Sequence, residues 1–238
     1  MRNVCLSFVL LVVFFFPGNC FSLSFEVGVD FICYDIHLGD EIQTTPPHYG
    51  DTTTDLTNAN EMNLIFGVKN HLTEIGKLNL FTSISGRLNS AYFAKDWRKG
   101  IYDSKKQVSD DRDDCEAAFA YTRLTPYWLT GILSLGLEAP LSENFSLLFE
   151  GGAAWTSFEV ESGWDRYANF EPVQVESCIT VGPKFTGKIE WHFDNNSAIA
   201  VGLTWETYGA EFADEDANIT IWGGLIQFTF NLNKKAVV

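Results

Sequence analysis

Apolar and polar residues alternate one for one along most of this chain. In 173–193, "VQVESCITVGPKFTGKIEWHF", one set is Val, Val, Ser, Ile, Val, Pro, Phe, Gly, Ile, Trp and Phe. The residues between them include Glu176, Lys184, Lys188, Glu190 and His192. A period of two belongs to a strand whose two faces meet different surroundings. Eight segments carry it, at 23–38, 58–70, 77–93, 114–139, 144–160, 172–193, 197–212 and 219–232, while helical periodicity is almost absent. The pattern predicts an all-β fold.

The connections alternate in length. Those after the second, fourth and sixth strands are the turns "NHLTEIGK", "APLSEN" and "FDNNS". Those after the first and third are long and polar, the fifth ("SGWDRYANFEP") is intermediate and the seventh ("ADEDAN") is short. A soluble meander gives no reason for such alternation. A membrane barrel does, because only its external loops can be elaborated freely, and an even strand number leaves both termini on the inner side. Two prolines disturb the scheme. Pro183 lies mid-strand where a closed sheet has no edge, which predicts a bulge beside Gly182. Pro126, in "RLTPYW", either breaks the very long fourth strand or lies where it projects above the membrane.

The faces then acquire an orientation. In lipid every backbone group must be paired, so the sheet must close, and eight strands leave an interior just wide enough to be filled by side chains. The apolar sets face lipid and the charged sets face the lumen. The predicted lumen network is Glu26, Asp30, Lys69, Arg87, Glu138, Glu150, Glu176, Lys184, Lys188, Glu190 and Glu206. Seven acids against four bases imply ion pairs, with protons or water covering the excess. Buried charges are costly unless paired, so the network is expected to plug the lumen. The predicted lipid-facing aromatic girdle is Phe145, Trp155, Trp191, Phe193, Trp222 and Phe230. Ten residues separate Phe145 from Trp155; at about 3.3 Å per residue and a tilt near 40°, that matches an apolar band roughly 25 Å tall.

The first residues fit export. Arg2 precedes an apolar run from Val4 to Phe16, closed by Pro17-Gly18. That is the layout of a signal peptide and is shorter than the roughly 20 residues of a spanning helix. The expected division is a signal peptide over 1–22 and one barrel domain over 23–238. A lipoprotein signal ending at Cys20 is poorly matched by Pro17, Gly18 and Asn19. The formal charge is −15, and losing Arg2 with the signal makes it −16. Such a charge argues against nucleic acid, whose affinity comes mainly from Lys and Arg on phosphates. An aromatic content of 15% excludes a disordered acidic chain. Of the five cysteines, Cys33, Cys115 and Cys178 lie beyond the signal; three is an odd number, so at least one is free or paired between chains.

These features resemble the small outer-membrane β-barrel class of Gram-negative bacteria, of the OmpX and OmpA-barrel type. The closing strand "ITIWGGLIQFTF" is similar to the last strand of such barrels, although the chain continues "NLNKKAVV" instead of ending on an aromatic. The resemblance implies an outer-membrane location, contact with outer-membrane lipid and with the barrel-insertion machinery, and no cofactor. It also implies a structural or surface-interaction role, with 39–57 and 94–113 as contact loops for an extracellular partner.

Other chemistries fit the pattern less well. A narrow cation-preferring channel is the nearest alternative. An omptin-like hydrolase would need Asp35 or His37 to approach an acid of another loop, such as Asp110, Asp111, Asp113, Asp114, Asp214 or Asp216. The same loop acids lack the spacing of a calcium site. His192 is the only histidine well inside a predicted strand, and no serine is placed beside it by sequence. A secreted lipocalin-like barrel would leave Phe and Trp exposed to water. No catalytic, cofactor or metal residue is assigned.

Overall fold

A computed structural model describes residues 23–38, 60–93, 102–108, 118–166, 169–193, 196–212 and 215–231; for 37–38, 102–108, 118–122, 160–166, 169–176, 211–212 and 215–217 it describes the backbone alone. Ten strands are found among them: β1 Leu23–Leu38, β2 Asn60–Ile75, β3 Leu78–Leu88, β4 Tyr102–Val108, β5 Ala118–Pro126, β6 Leu129–Pro140, β7 Phe145–Arg166, β8 Asn169–His192, β9 Ser197–Phe212 and β10 Glu215–Asn231. One helical turn, α1, spans Ser90–Phe93.

Eight of the strands close a ring in the order β1-β2-β3-β6-β7-β8-β9-β10, every pair antiparallel. The first and last strands meet from Ser24↔Asn231 to Leu38↔Ala217. The expected eight-stranded barrel is therefore the observed one. Its exterior carries the apolar half of each alternation: Phe31, Met62, Leu135, Phe149, Phe185 and Leu203 are all exposed. A contiguous apolar surface of this extent belongs in a membrane.

The fourth predicted strand is two strands. β5 ends at Pro126 and β6 begins at Leu129. Both run beside β7, β5 along Phe158–Asp165 and β6 along Ser146–Trp155. Pro126 has no N–H to give a ladder, and the step after it is held from the side. The Asn89 amide Nδ2 donates to Tyr127 O at 2.6 Å, and its backbone N donates to Trp128 O at 3.0 Å. β5 in turn pairs with β4, which lies inside the predicted loop 94–113. Beyond the girdle the sheet thus continues as β4-β5-β7-β8.

Pro183 carries no bulge. It pairs in register with Ala153 of β7, and the ladder to β9 begins only after it, at Lys184↔Glu206. A proline is tolerated where the ladder on its N–H side stops. At this seam a Cβ on Gly182 would lie 1.7 Å from Thr207 O, so only glycine fits. The Thr180 hydroxyl donates to Gly209 O at 2.5 Å in place of a backbone bond. The β7–β8 bulge falls at Pro172–Val173, where Ser162↔Gln174 is followed by Gly163↔Pro172.

The "NHLTEIGK" turn is shorter than expected. β2 runs on to Ile75, and Gly76, with φ +65°, and Lys77 make the reversal. One irregularity interrupts this hairpin, between His71 and Thr73, so Leu72 is the extra residue.

Inside, the barrel is layered. Towards the long-connection end the inward side chains are apolar: Ile32, Tyr34, Leu124, Phe158, Tyr208 and Ile219 form one cluster with Ile36, Ile132 and Ile221. Towards the short-turn end they are charged.

The barrel lumen as candidate functional site

Alternation delivers one inward side chain every second residue. Ten of the eleven expected lumen residues have described side chains, and all ten lie inside the ring with little or no exposure: Glu26, Asp30, Lys69, Arg87, Glu138, Glu150, Lys184, Lys188, Glu190 and Glu206. The side chain of Glu176 lies outside the described residues. Phe145, Trp191, Phe193, Trp222 and Phe230 are exposed on the exterior, and Trp155 is half-buried there. Phe145 stacks on Trp191, and Trp191 meets Phe193 edge-on.

The charges form two groups. In the upper group the Arg87 guanidinium makes a two-pronged pair with Glu206, Nη1–Oε1 2.8 Å and Nη2–Oε2 3.0 Å, and stands 3.6 Å from Asp30. Lys184, opposite Glu206 in the ladder, donates to its Oε1 at 2.5 Å, and the Tyr208 hydroxyl donates to Oε2 at 2.7 Å. Arg87 on β3 and Glu206 on β9 are four places apart in a ring of eight, so their pair spans the lumen. In the lower group Lys188 contacts Glu150, approaches Glu26 at 3.8 Å and donates to Gln227 Oε1 at 3.0 Å. Lys69 on β2 reaches Glu190 on β8 at 3.6 Å, again between opposite strands. Planar, forked arginine suits the first geometry and a point-like ammonium the second.

Several inward residues escaped the sequence reading. Glu61 shares the inward face of β2 with Lys69 and accepts from the Tyr34 hydroxyl at 3.3 Å. Asn89 accepts from Arg87 Nε at 3.2 Å. The two-residue period that placed Lys69 also places Glu61, so that signal was present.

The short-turn mouth holds a serine–histidine contact that sequence did not place. Ser146 Oγ lies 3.3 Å from His192 Nε2 and donates to Glu138 Oε1 at 3.1 Å. The same nitrogen, Nε2, faces Glu190 Oε1 at 3.6 Å. In a nucleophile relay the acid orients the imidazole through its other nitrogen, so this arrangement does not activate Ser146. At the opposite end Asp35 projects from the exterior face of β1, away from the lumen. The side chains of His37 and Asp216 lie outside the described residues, as do Asp110, Asp111, Asp113, Asp114 and Asp214 altogether. Cys33 and Cys178 are thiols, and Cys115 lies outside the described residues.

No protein-family model matches the chain. No curated protein matches it at a significant level. Among solved structures, Neisserial surface protein A aligns with 90% of this chain and 100% of its own, at 6% identity and a TM-score of 0.45. The outer membrane protease OmpT from Escherichia coli aligns over 91% and 99%, at 7% identity and a TM-score of 0.43. Ail, the attachment invasion locus protein of Yersinia pestis, aligns over 87% and 98%, at 9% identity and a TM-score of 0.33. The barrel assignment stands on this chain's own closed ring and its two chemically distinct faces.

Proposed function

We propose that this chain, an eight-stranded barrel of the small outer-membrane type, is a sealed membrane anchor that presents an extracellular contact surface. The observation that carries this reading is the lumen. Arg87–Glu206 and Lys69–Glu190 join opposite strands across it, and above them the interior is packed with Ile32, Phe158, Tyr208 and Ile219. An ion would have to break buried pairs and then cross an apolar layer. Outside, the apolar belt suits lipid, and the sheet β4-β5-β7-β8 extends past it on the side of segments 39–57 and 94–113. Those segments are the proposed contact surface for an extracellular partner. Export through a cleaved segment 1–22 and assembly by the barrel-insertion machinery belong to the same reading.

One observation favours a second reading. Among the described inward residues, Glu26, Asp30, Glu61, Glu138, Glu150, Glu190 and Glu206 outnumber Lys69, Arg87, Lys184 and Lys188. If the lumen conducts, that excess makes it prefer cations.

Two measurements test the proposal. Expressed in a Gram-negative host, the chain is expected in the outer-membrane fraction, with a gel mobility in SDS that shifts on boiling. A soluble chain without that shift returns the secreted, lipocalin-like barrel. In planar bilayers the purified barrel is expected to show no steady conductance, and stable cation-selective openings would establish the channel reading instead.

A further inference from the structure

At the short-turn mouth three metal-ligating side chains converge, one of which, Glu190, also pairs with Lys69 across the lumen, and a second imidazole stands beside them. The ligand atoms of Glu138, Glu190 and His192 lie within 4.8 Å of one another. The second imidazole lies at the edge of this group, outside its 4.8 Å span: His71 Nε2 is 3.8 Å from Glu138 Oε2. His192 Nε2 is 3.6 Å from Glu190 Oε1. Donor atoms on a tetrahedral zinc ion, at about 2.0–2.2 Å from the metal, stand roughly 3.4 Å from each other. The His71–Glu138 and His192–Glu190 spacings are within a few tenths of an ångström of that, while the group as a whole is looser, its donors lying within 4.8 Å, so an ion would draw them inward.

Local structure aims these side chains. His71 directly precedes the extra residue Leu72, and a bulge of this kind re-aims the neighbouring side chain. His192 is the last residue of β8, fixed by its backbone N donating to Asn144 O at 2.9 Å. The carboxylates are held from behind. Ser146 donates to Glu138 Oε1 and Thr229 to Glu190 Oε2, both at 3.1 Å. Outer hydrogen bonds of this type orient metal ligands.

Electrostatics points the same way. Glu138 and Glu190 are both buried, and their carboxylates repel each other across less than 4.8 Å. Among the described residues no lysine or arginine contacts Glu138. Lys69 approaches Glu190 alone, at 3.6 Å, and competes for Oε1. Both imidazoles remain about a quarter exposed at the mouth, which leaves a path for an ion from water.

We propose that His71, Glu138, Glu190 and His192 form a binding site for a divalent transition-metal ion of the zinc class at the short-turn mouth of the barrel. Two imidazoles and two carboxylates are a donor set for zinc, cobalt or nickel; an all-oxygen set would suit calcium or magnesium. The site joins β2, β6 and β8, so a bound ion ties three strands together where the hairpin turns begin. The inference stands whether or not the lumen conducts.

The test uses the full chain refolded in detergent, freed of metal, and titrated with Co2+ alone and then Zn2+ alone. One equivalent of Co2+ is expected, with the intense visible absorption of a four-coordinate ion, and Zn2+ is expected to displace it. His71→Gln and His192→Gln should each weaken binding more than tenfold. A variant carrying both His37→Gln and His48→Gln, which removes the remaining histidines, should bind as the parent does. Zn2+ should raise the urea midpoint of the parent and leave that of His192→Gln unchanged, since a ligand stabilises only the state that holds it. Gel mobility that still shifts on boiling shows that each variant is folded. A folded parent that takes up no Co2+ overturns the proposal, as does binding that survives both mouth substitutions or follows His37 and His48.

Discussion

Replacing Arg87 by Met is expected to destabilise the folded barrel by about 3–5 kcal/mol, the range for removing one partner of a buried ion pair. Arg87 is fully buried and serves three acceptors at once: Glu206, Asp30 and Asn89. The loss does not fall on them equally. Glu206 keeps Lys184 and the Tyr208 hydroxyl. Asp30 fares worse: Arg87 is its ion partner, its Oδ1 already has no hydrogen-bond partner, and only Asn63 and the more distant Lys184 charge remain to it. Adding Asp30→Asn to Arg87→Met should therefore recover part of the loss, with a coupling of roughly 1–3 kcal/mol between neighbouring sites. Urea titration of the barrel in lipid vesicles, read by tryptophan fluorescence, measures all three. If Arg87→Met alone shifts the midpoint by less than the uncertainty, the cross-lumen pair is not what holds the interior together. The same variant should remain closed in a planar bilayer, because the apolar layer around Phe158 and Tyr208 lies above the vacated site.

The fold was legible because a strand's period is an integer. Ser146, Leu148, Glu150 and Ala154 fall on one face of β7, and Phe145, Phe149 and Trp155 on the other, whatever the strand's neighbours are. Local chemistry stops there. "YDSKKQV" has no apolar face of its own and becomes β4 only because β5 stands beside it. Pro183 and Pro172 look alike in sequence, yet one marks the end of a ladder and the other accompanies a bulge, a difference set by strand register.

The lumen was half legible for a similar reason. Inward positions in β1 run Glu26, Gly28, Asp30 and then Ile32, Tyr34, Ile36, so the change from charged to apolar is written along one strand. Reading only the charges found the network and missed the apolar layer that closes it. The mouth was not legible. Ser146 and His192 meet through the β7–β8 register, in which Ser146 opposes Glu190. His71 joins Glu138 beside a bulge that no residue type announces.

The exterior is the part of the structure whose meaning depends on its solvent, and a pair of arginines separates the possibilities. Leu135 is exposed on β6 and faces Gly151, midway between Phe145 and Trp155. Leu141 is exposed in the turn that follows. In water both positions would accept arginine with little change, because neither side chain packs on a core. In lipid they differ by depth: an arginine at the midplane costs about 2–4 kcal/mol and one near the interface about 0–1. Leu135→Arg is therefore expected to lower stability in vesicles by several times as much as Leu141→Arg, with both variants still shifting on boiling. Equal, small effects would mean that Leu135 meets water, and the apolar belt would then need another partner than a bilayer. A large loss confined to Leu135 fixes the depth of β6 in the membrane and places the turn at Leu141–Asn144 at its surface.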